Sequence, residues 1–327
     1  MQMNLLVTGG AGFIGSNFVR FQRQNYPEDL VVNLDQLTYA GNMQNLADLR
    51  KDKQHIFVRG NIGNRELVAY LIEQYHIDAI VNFAAESHVD RSIKHPAIFY
   101  ETNVKGTLAL LSEAKRRHLK FLQISTDEVY GSLDQRGYFT EDSKLQPNSP
   151  YAASKASADL SVRAFYETYK VDVNITRSSN NYGPYQFPEK LIPLMVTHGL
   201  TGKQLPIYGD GENIRDWLYV EDNCRAIDLV LRKGKPGEIY NVGGHNERSN
   251  NAIVHAIIDQ LDLSEDRIEY VKDRLGHDQR YALDSTKINR NLGWQPTTPF
   301  DTGLRNTVNW YTTHRTWWQP LLDKEKL

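Results

Sequence analysis

The chain has 327 residues, of which 40% are apolar and 24% charged, a composition typical of a globular protein with a sizeable core. Its 38 Lys and Arg nearly balance 40 Asp and Glu, which gives no electrostatic reason to expect nucleic acid or a membrane surface as partner. The single cysteine, Cys224, excludes an internal disulfide and a cysteine metal site. We find no signal peptide and no apolar run of about 20 residues that could span a bilayer, so we expect a reducing, cytoplasmic location.

Short apolar runs alternate with amphipathic segments along the first half of the chain. The runs predict strands over 4–8, 30–35, 55–58, 79–85, 121–125 and 173–177. The segments between them predict helices over 13–26, 101–118 and 151–169. Near-continuous apolar strands separated by helices are typical of a parallel sheet covered on both faces. We therefore predict an α/β fold with a Rossmann-type, doubly wound parallel sheet.

The pattern changes after about residue 180, where "NNYGPYQFPEKLIP" and "PIYGDGENIRDW" are rich in turn residues. We expect two domains, 1–179 and a smaller, irregular 180–327, with a late strand near 237–244 rejoining the first sheet. The end of the chain, "NWYTTHRTWWQPLLDKEKL", predicts one packed terminal helix and a charged tail.

The glycines of "LLVTGGAGFIGS" lie between the first strand and the first helix. Gly9, Gly12 and Gly15 permit a tight turn and a close backbone approach, and the helix N-terminus offers N–H groups to a pyrophosphate. Asp35 ends the second strand, 20 residues beyond Gly15, where an acid that binds a ribose is expected. A carboxylate there would repel a 2′-phosphate, so we favour NAD over NADP. The alternative is an ordinary glycine-rich turn.

Tyr151 and Lys155, in "SPYAASKASADL", are four residues apart and so share one face of a predicted helix. A free tyrosine has a pKa of about 10 and is a poor base at neutral pH. A nearby lysine cation and a positively charged nicotinamide ring would favour the tyrosinate. The alternative for this common spacing is a surface-exposed pair.

These motifs resemble the extended short-chain dehydrogenase/reductases that act on nucleotide sugars. Within them, the chain is similar to the dTDP-glucose 4,6-dehydratase family from residue 5 to about 295. The similarity lies in "TGGAGFIGS", "LTYAGN", "AAESHVDRS", "STDEVYGS", "SNNYGPYQFPEKLIP", "YGDGENIRDWLYVEDN", "YNVGGHNE" and "RLGHDQRYALD".

The resemblance implies a role for two adjacent acids at the end of a predicted strand. Oxidation of the sugar at C4 by NAD would make the C5 proton acidic, with Tyr151 as the base for the 4-hydroxyl and Thr126 bonded to the same oxygen. Glu128 would then remove the C5 proton, and a protonated Asp127 would donate to the departing 6-hydroxyl. Burial and mutual repulsion can hold one proton on such a pair. The alternative is that Asp127 caps a turn and Glu128 is a solvated loop residue.

The resemblance also implies binding residues. Those for the cofactor are Gly9, Gly12, Phe13, Ile14, Gly15, Asp35, Gln36, Leu37, Thr38, Asn61, Ile62, Phe83, Ala84, Ala85, Ser87, Thr102, Tyr151, Lys155 and Asn181. Those for the nucleotide sugar are Ser87, Thr126, Asn180, Glu189, Lys190, Leu191, Pro206, Tyr208, Arg215, Asn250, Arg274, His277 and Tyr281. The histidines lack ligand spacing, so we expect no metal site.

The residues leave several points open. Asn61 stands where the family usually has an acid that accepts from the adenine amino group, and an asparagine carbonyl can still accept that bond. A 4-epimerase on the same scaffold would lack the paired acids, and a regulatory protein that only binds NAD would lose the Tyr/Lys pair.

The family resemblance further implies a homodimer in which helices 101–118 and 151–169 of each subunit form a four-helix bundle. Thymine and uracil nucleotides are not distinguished.

Overall fold

The computed structural model describes residues 2–324. The strands are β1 (Asn4–Thr8), β2 (Leu30–Asp35), β3 (His55–Arg59), β4 (Ala79–Asn82), β5 (Lys120–Thr126), β6 (Val173–Ser178), β7 (Asn180–Tyr182), β8 (Leu205–Tyr208), β9 (Ile214–Tyr219), β10 (Ile239–Val242), β11 (Glu247–Ser249) and β12 (Ile268–Val271). The α-helices are α1 (Phe13–Asn25), α2 (Arg65–Gln74), α3 (Val89–Lys94), α4 (Pro96–Phe99), α5 (Thr107–Arg117), α6 (Pro150–Tyr169), α7 (Leu191–Leu200), α8 (Val220–Lys233), α9 (Asn250–Leu261), α10 (Thr286–Leu292), α11 (Phe300–Thr313) and α12 (Arg315–Lys324). A π-helical turn, Tyr100–Gly106, joins α4 to α5, and a 3-10 helix, Asp127–Tyr130, follows β5.

Seven strands form the main sheet in the order β10-β6-β5-β4-β1-β2-β3, and each neighbouring pair is parallel. The order reverses between β1 and β4, which is where a doubly wound sheet opens a crevice for ligands. The predicted α/β fold with a Rossmann-type sheet is confirmed. Smaller sheets, β11-β9-β7 and β12-β8, lie in the second half of the chain.

The sheet is buried on both faces, as β1 shows. Leu5 and Val7 pack into one apolar cluster with side chains of α1 and α8, whereas Leu6 packs into another with side chains of α2, α5 and α6. Alternate residues of a strand point to opposite faces of the sheet. Because helices cover both faces, the successive β1 side chains from Leu5 to Val7 are all apolar. In the second half of the chain, a third apolar cluster lies between α7, α9 and α11.

Two sequence predictions need correction. The strand predicted over 79–85 ends at Asn82, because the chain then passes closely over the glycine loop: a Cβ on Gly9 would lie 2.6 Å from the Ala84 nitrogen. The single terminal helix is two helices, α11 and α12, which meet at His314, whose ring stacks on Trp310 at 4.5 Å. Residues 325–327 of the predicted charged tail lie outside the described residues.

Candidate active site

Two joined cavities open along the carboxyl ends of the main strands. The first, of about 330 Å³, runs from the glycine loop past the end of β5 to α6. The second, of about 190 Å³, lies between that point and the smaller sheets. Their linings share Glu128, Asn180, Asn181, Gln186, Glu189 and Lys190. Because the two linings overlap, a ligand in one cavity would meet a ligand in the other beside Glu128.

The glycine loop fits the pyrophosphate of a dinucleotide. Gly9 has a φ of +72°, in the left-handed region that favours glycine, and a Cβ on Gly15 would lie 2.3 Å from the Gly9 carbonyl oxygen. The loop then leads directly into α1, whose first N–H groups face the first cavity. At the rim, Asp35 accepts hydrogen bonds from the Ala11 nitrogen at 2.9 Å and the Leu37 nitrogen at 2.7 Å. These bonds fix the Asp35 carboxylate at the end of β2, where it can meet a ribose.

The paired acids leave β5 in a 3-10 turn. Thr126 caps this turn, since its Oγ1 accepts from the Glu128 nitrogen at 3.3 Å, and it also donates to Asp127 Oδ1 at 3.2 Å. Asp127 is only 1% exposed, and its Oδ2 has no hydrogen-bond partner among the residues that the structure describes. Glu128 is half-buried and lines both cavities. Both acids line the first cavity, with Asp127 the more deeply buried of the two and Glu128 also reaching the second cavity.

The surroundings give the two acids different protonation. Burial, Glu128 and Asp216 raise the pKa of Asp127 well above its usual range. Burial also raises the pKa of Glu128, but three cations, Lys190, Arg215 and Arg274, oppose that rise. Asp127 is therefore suited to be a proton donor, and Glu128 to be a proton acceptor at the same pH.

Tyr151 and Lys155 lie in the first turns of α6. Ser149 caps this helix by accepting from the Ala152 nitrogen, and Pro150 occupies its first position, so the helix start is fixed locally. Both side chains line the first cavity, and the Lys155 ammonium donates to the Ile124 carbonyl at 2.6 Å. Both are buried, which excludes the surface-exposed alternative.

The residues of the protein do not by themselves lower the pKa of Tyr151. Burial and the charges of Glu128 and Asp127 raise the pKa of Tyr151 well above its usual value, and only a hydrogen bond with Thr126 opposes this. Burial lowers the pKa of Lys155 to about 8. A tyrosinate at position 151 thus requires a further positive charge in the cavity, which a nicotinamide ring would provide.

The second cavity presents cations held by main-chain and side-chain oxygens. Arg215 donates to the Asp278 carbonyl at 2.8 Å, and its guanidinium lies 4.4 Å from the centre of the Tyr281 ring. Arg274 pairs with Asp90 at 2.6 Å. Both guanidinium groups therefore reach the cavity with their orientation already fixed, as binding of a diphosphate would need.

Most of the predicted binding residues line the cleft. The first cavity contains Gly9, Gly12, Phe13, Ile14, Gly15, Asp35, Gln36, Thr38, Ile62, Phe83, Ala84, Ala85, Ser87, Thr102, Thr126, Tyr151, Lys155 and Asn181. The second contains Asn180, Glu189, Lys190, Leu191, Pro206, Tyr208, Arg215, Asn250, Arg274, His277 and Tyr281. Leu37 and Asn61 are outside both linings. Asn61 is exposed, and its Oδ1 accepts from the Gly63 nitrogen at 2.7 Å.

The sequence analysis missed several polar residues of the cleft. Glu86, 3% exposed, and Gln186, 7% exposed, line the first cavity. Asp216 follows Arg215 in the chain and contributes to the raised pKa of Asp127. Each is adjacent to or near a motif used in the sequence analysis, but no residue spacing indicates its role. In residues 2–324, no three His, Cys, Asp or Glu side chains are grouped so that they could hold a metal ion.

Comparison with known proteins places this site in a family. A family model described as "GDP-mannose 4,6 dehydratase" matches residues 6–307. The chain belongs to this family. A dTDP-glucose 4,6-dehydratase of Xanthomonas campestris is 52% identical to it, over 97% of this chain and 95% of the relative. The low-salt glycan biosynthesis protein Agl12 of Haloferax volcanii is 54% identical, over 94% and 98%.

A solved structure is equally similar. DesIV, the dTDP-glucose 4,6-dehydratase of Streptomyces venezuelae solved with NAD and TYD bound, superposes with a TM-score of 0.95 at 53% identity. The match covers 98% of this chain and all of that chain (100%). These relatives of the GDP-mannose 4,6 dehydratase family confirm the resemblance to dTDP-glucose 4,6-dehydratases seen in the sequence.

Proposed function

We propose that the protein is an NAD-dependent dTDP-glucose 4,6-dehydratase, a lyase. It converts a nucleoside-diphosphate glucose to the 4-keto-6-deoxy sugar that deoxysugar biosynthesis, such as that of rhamnose, uses. One observation carries the proposal: Asp127 lines the first cavity, buried and with its pKa raised, beside Glu128, which lines both cavities and is influenced by three cations. An elimination of water needs such an acid and such a base together.

Each of the proposed catalytic residues has a separate role in the reaction. The residues that line the first cavity would hold NAD, which would supply the acceptor for hydride from C4 and the donor of hydride to C6. Tyr151 accepts the proton of the 4-hydroxyl, and the Thr126 hydroxyl holds the same oxygen. Glu128 then removes the C5 proton, which the C4 ketone makes acidic, and Asp127 gives its proton to the departing 6-hydroxyl, which leaves as water. As C6 receives hydride, C5 takes a proton back from the protonated Glu128.

The second cavity holds the nucleoside diphosphate. Its two phosphates carry negative charge, and the forked guanidinium groups of Arg215 and Arg274 can each bind two phosphate oxygens. Lys190, which lines both cavities and donates to the Ser87 carbonyl at 3.3 Å, lies at the sugar end. This arrangement orients the glucose with its reactive carbons toward Glu128.

The test is incubation of the purified protein with dTDP-glucose and, separately, with UDP-glucose, followed by mass spectrometry. We expect dTDP-glucose to lose one water. An isomer of unchanged mass would indicate a 4-epimerase, and loss of water from UDP-glucose alone would assign a different nucleotide. Binding of NAD without conversion of either sugar nucleotide would indicate a regulatory protein.

We also propose a homodimer through a four-helix bundle of segments 101–118 and 151–169. Apolar side chains are exposed on these helices and on α4: Leu160 is 54%, Ile98 44% and Leu108 36% exposed. Burial of such side chains is the main favourable term in association. Leu160→Asp should convert the dimer to a monomer, as measured by light scattering, whereas a monomeric wild-type protein would contradict the proposal.

The division into a cofactor domain, 1–179, and a substrate domain, 180–327, is likewise proposed. Its support is that β10 pairs with β6 in the main sheet, while α7, α9 and α11 share a separate apolar cluster. Helix α8 also packs on α1, so the return to the first domain begins at Val220.

Within residues 2–324, none of the helices has the length and apolar character to cross a membrane. A cytoplasmic location stays a prediction.

A further inference from the structure

A buried polar row lies behind the catalytic turn, the 3-10 helix Asp127–Tyr130 that carries the two proposed catalytic acids. Ser125 on β5, Arg177 on β6 and Asn241 on β10 are neighbours across the sheet, since Ser125 pairs with Arg177 and Arg177 pairs with Asn241. Their exposures are 5%, 3% and 0%. A cation in such a row is costly to bury unless its surroundings compensate for the charge.

Asp159 on α6 compensates for it. One carboxylate oxygen, Oδ2, accepts from Ser125 Oγ at 3.0 Å and from Arg177 Nε at 2.9 Å. The other, Oδ1, is buried and has no hydrogen-bond partner among the described residues. Asp159 is one helical turn beyond Lys155, so the two side chains share a face of α6. The Asp159 carboxylate thus accepts hydrogen bonds from Ser125 and Arg177 and attracts the charge of Lys155.

Arg177 carries the network to the far end of the catalytic turn. Its Nη1 donates to the Tyr130 hydroxyl at 2.9 Å, which in turn donates to Asn241 Oδ1 at 2.8 Å. Tyr130 is the last residue of the 3-10 helix, is 1% exposed, and stacks on Phe139 at 4.9 Å. The segment Ser125–Tyr130 is therefore held at its start by Asp159 and at its end by Arg177.

We propose that Asp159 and Arg177 are positioning residues of the reaction, through which one buried ion pair fixes the segment Ser125–Tyr130 and sets a negative charge behind Lys155. The inference rests on the proposed function, because this segment carries the acid and the base of the elimination. Neither residue is in the lining of either cavity. Their effect comes from geometry, since a displacement of about 1 Å in an active site can reduce the rate about a hundredfold.

The charge of Asp159 also affects the protonation of Lys155. Attraction to Asp159 opposes the lowering of the Lys155 pKa by burial. The phenol of Tyr151 on α6 and the carboxyl of Asp127 on the catalytic turn line the same cavity as Lys155, and the guanidinium of Arg177 on β6 pairs with Asp159. Removal of the Asp159 charge should therefore let Lys155 lose its proton at a lower pH.

Two substitutions test the two halves of the proposal. Asp159→Asn keeps the side-chain shape and removes the charge, so the alkaline limb of the kcat profile should move down by about one pH unit. Competitive acetylation of Lys155, followed by mass spectrometry, should show the same shift without any turnover. Tyr130→Phe removes one oxygen and keeps the ring; kcat should fall about tenfold, with KM and the alkaline limb unchanged.

Two further variants separate positioning from a loss of stability. Asp159→Glu retains the charge and should keep the alkaline limb of the wild type. Asp228→Asn is the matched control, because Asp228 is 4% exposed and pairs with Arg232, four residues on in its own helix, at 2.8 Å. It should lower the unfolding temperature and leave both the kcat profile and the Lys155 titration unchanged.

The outcomes are distinct. An unmoved Lys155 titration in Asp159→Asn, with activity reduced only in proportion to folded protein, overturns the charge role. A wild-type kcat in Tyr130→Phe overturns the anchoring role. A wild-type protein that converts neither sugar nucleotide refutes the proposed function, and the acetylation of Lys155 still decides the role of Asp159.

Discussion

Replacing Glu128 by glutamine removes one proton acceptor and keeps the shape of the side chain. Glu128 lies where the two cavities meet, and Lys190, Arg215 and Arg274 favour its ionised form although burial raises its pKa. An amide at this position can still hydrogen-bond the substrate but cannot remove the C5 proton. We therefore expect the elimination to become much slower, while the residues proposed to hold NAD stay in place.

The expected loss can be given a magnitude. A positioned general base accelerates a reaction by about 10² to 10⁴-fold, which corresponds to about 2.7–5.5 kcal/mol of transition-state stabilisation. Glu128→Gln also removes a negative charge near Lys190, Arg215 and Arg274, and these cations would then attract the diphosphate more strongly. The expected result is thus a kcat lowered by about 10² to 10⁴-fold with a KM that is unchanged or lower.

The assay follows loss of water from dTDP-glucose in deuterium oxide by mass spectrometry, together with the NAD released on denaturation. A protein that uses Glu128 as base should incorporate deuterium at C5, and Glu128→Gln should not. Glu113→Gln is the control: Glu113 lies on α5 outside both cavities, is 2% exposed and pairs with Arg116 at 2.6 Å, so its replacement tests the loss of a buried, ion-paired carboxylate away from the cleft. Turnover of Glu128→Gln close to that of the control would refute the assignment of the base.

Three more predictions concern the cofactor loop, the diphosphate and pH. Gly15→Ala places a Cβ 2.3 Å from the Gly9 carbonyl oxygen and should weaken NAD binding, measured by calorimetry, by about 1–3 kcal/mol; undiminished binding would contradict the fit of the loop. Arg274→Gln should raise the KM for dTDP-glucose about tenfold with little change in kcat, and an unchanged KM would remove Arg274 from the diphosphate site. The rate should fall as the pH drops through the raised pKa of Glu128, so the acid limb should lie above the ordinary 4.5, and fall again near 8 as Lys155 loses its proton. A rate independent of pH across both ranges would contradict these two assignments.

The sequence predicted the parts of the fold that are local in origin. β1 and β2 have the predicted bounds, because residues buried on both faces of a sheet appear as continuous apolar runs. The glycine loop is predictable in part from its own turn, since a Cβ on Gly15 would lie 2.3 Å from the Gly9 carbonyl oxygen, whereas Gly9 is required by the approach of Ala84 from a distant segment. β4 was predicted three residues too long, because apolar side chains that line a cavity look the same in sequence as those that fill a sheet.

Contacts between distant segments could not be predicted in this way. Asp159 and Arg177 belong to different elements, and no periodicity indicates that they form a buried ion pair at 2.9 Å. Asp216 is 89 positions beyond Asp127 (216 minus 127), yet its charge helps to keep Asp127 protonated. Such pairs depend on strand order and on the placement of helices over the sheet, which a single sequence without an alignment does not contain.

The paired acids show how local geometry and tertiary surroundings combine. In a 3-10 helix, consecutive side chains point about 120° apart, because each turn contains 3.0 residues. Asp127 and Glu128 both line the first cavity, but the turn gives them different neighbours: Asp127 is buried and has the charge of Asp216 nearby, whereas Glu128 also lines the second cavity and is influenced by Lys190, Arg215 and Arg274. β5 ends at Thr126, so the tight turn that follows keeps both carboxyl groups at the mouth of the cleft. The proposed division into acid and base therefore depends on the different charges around two neighbouring residues.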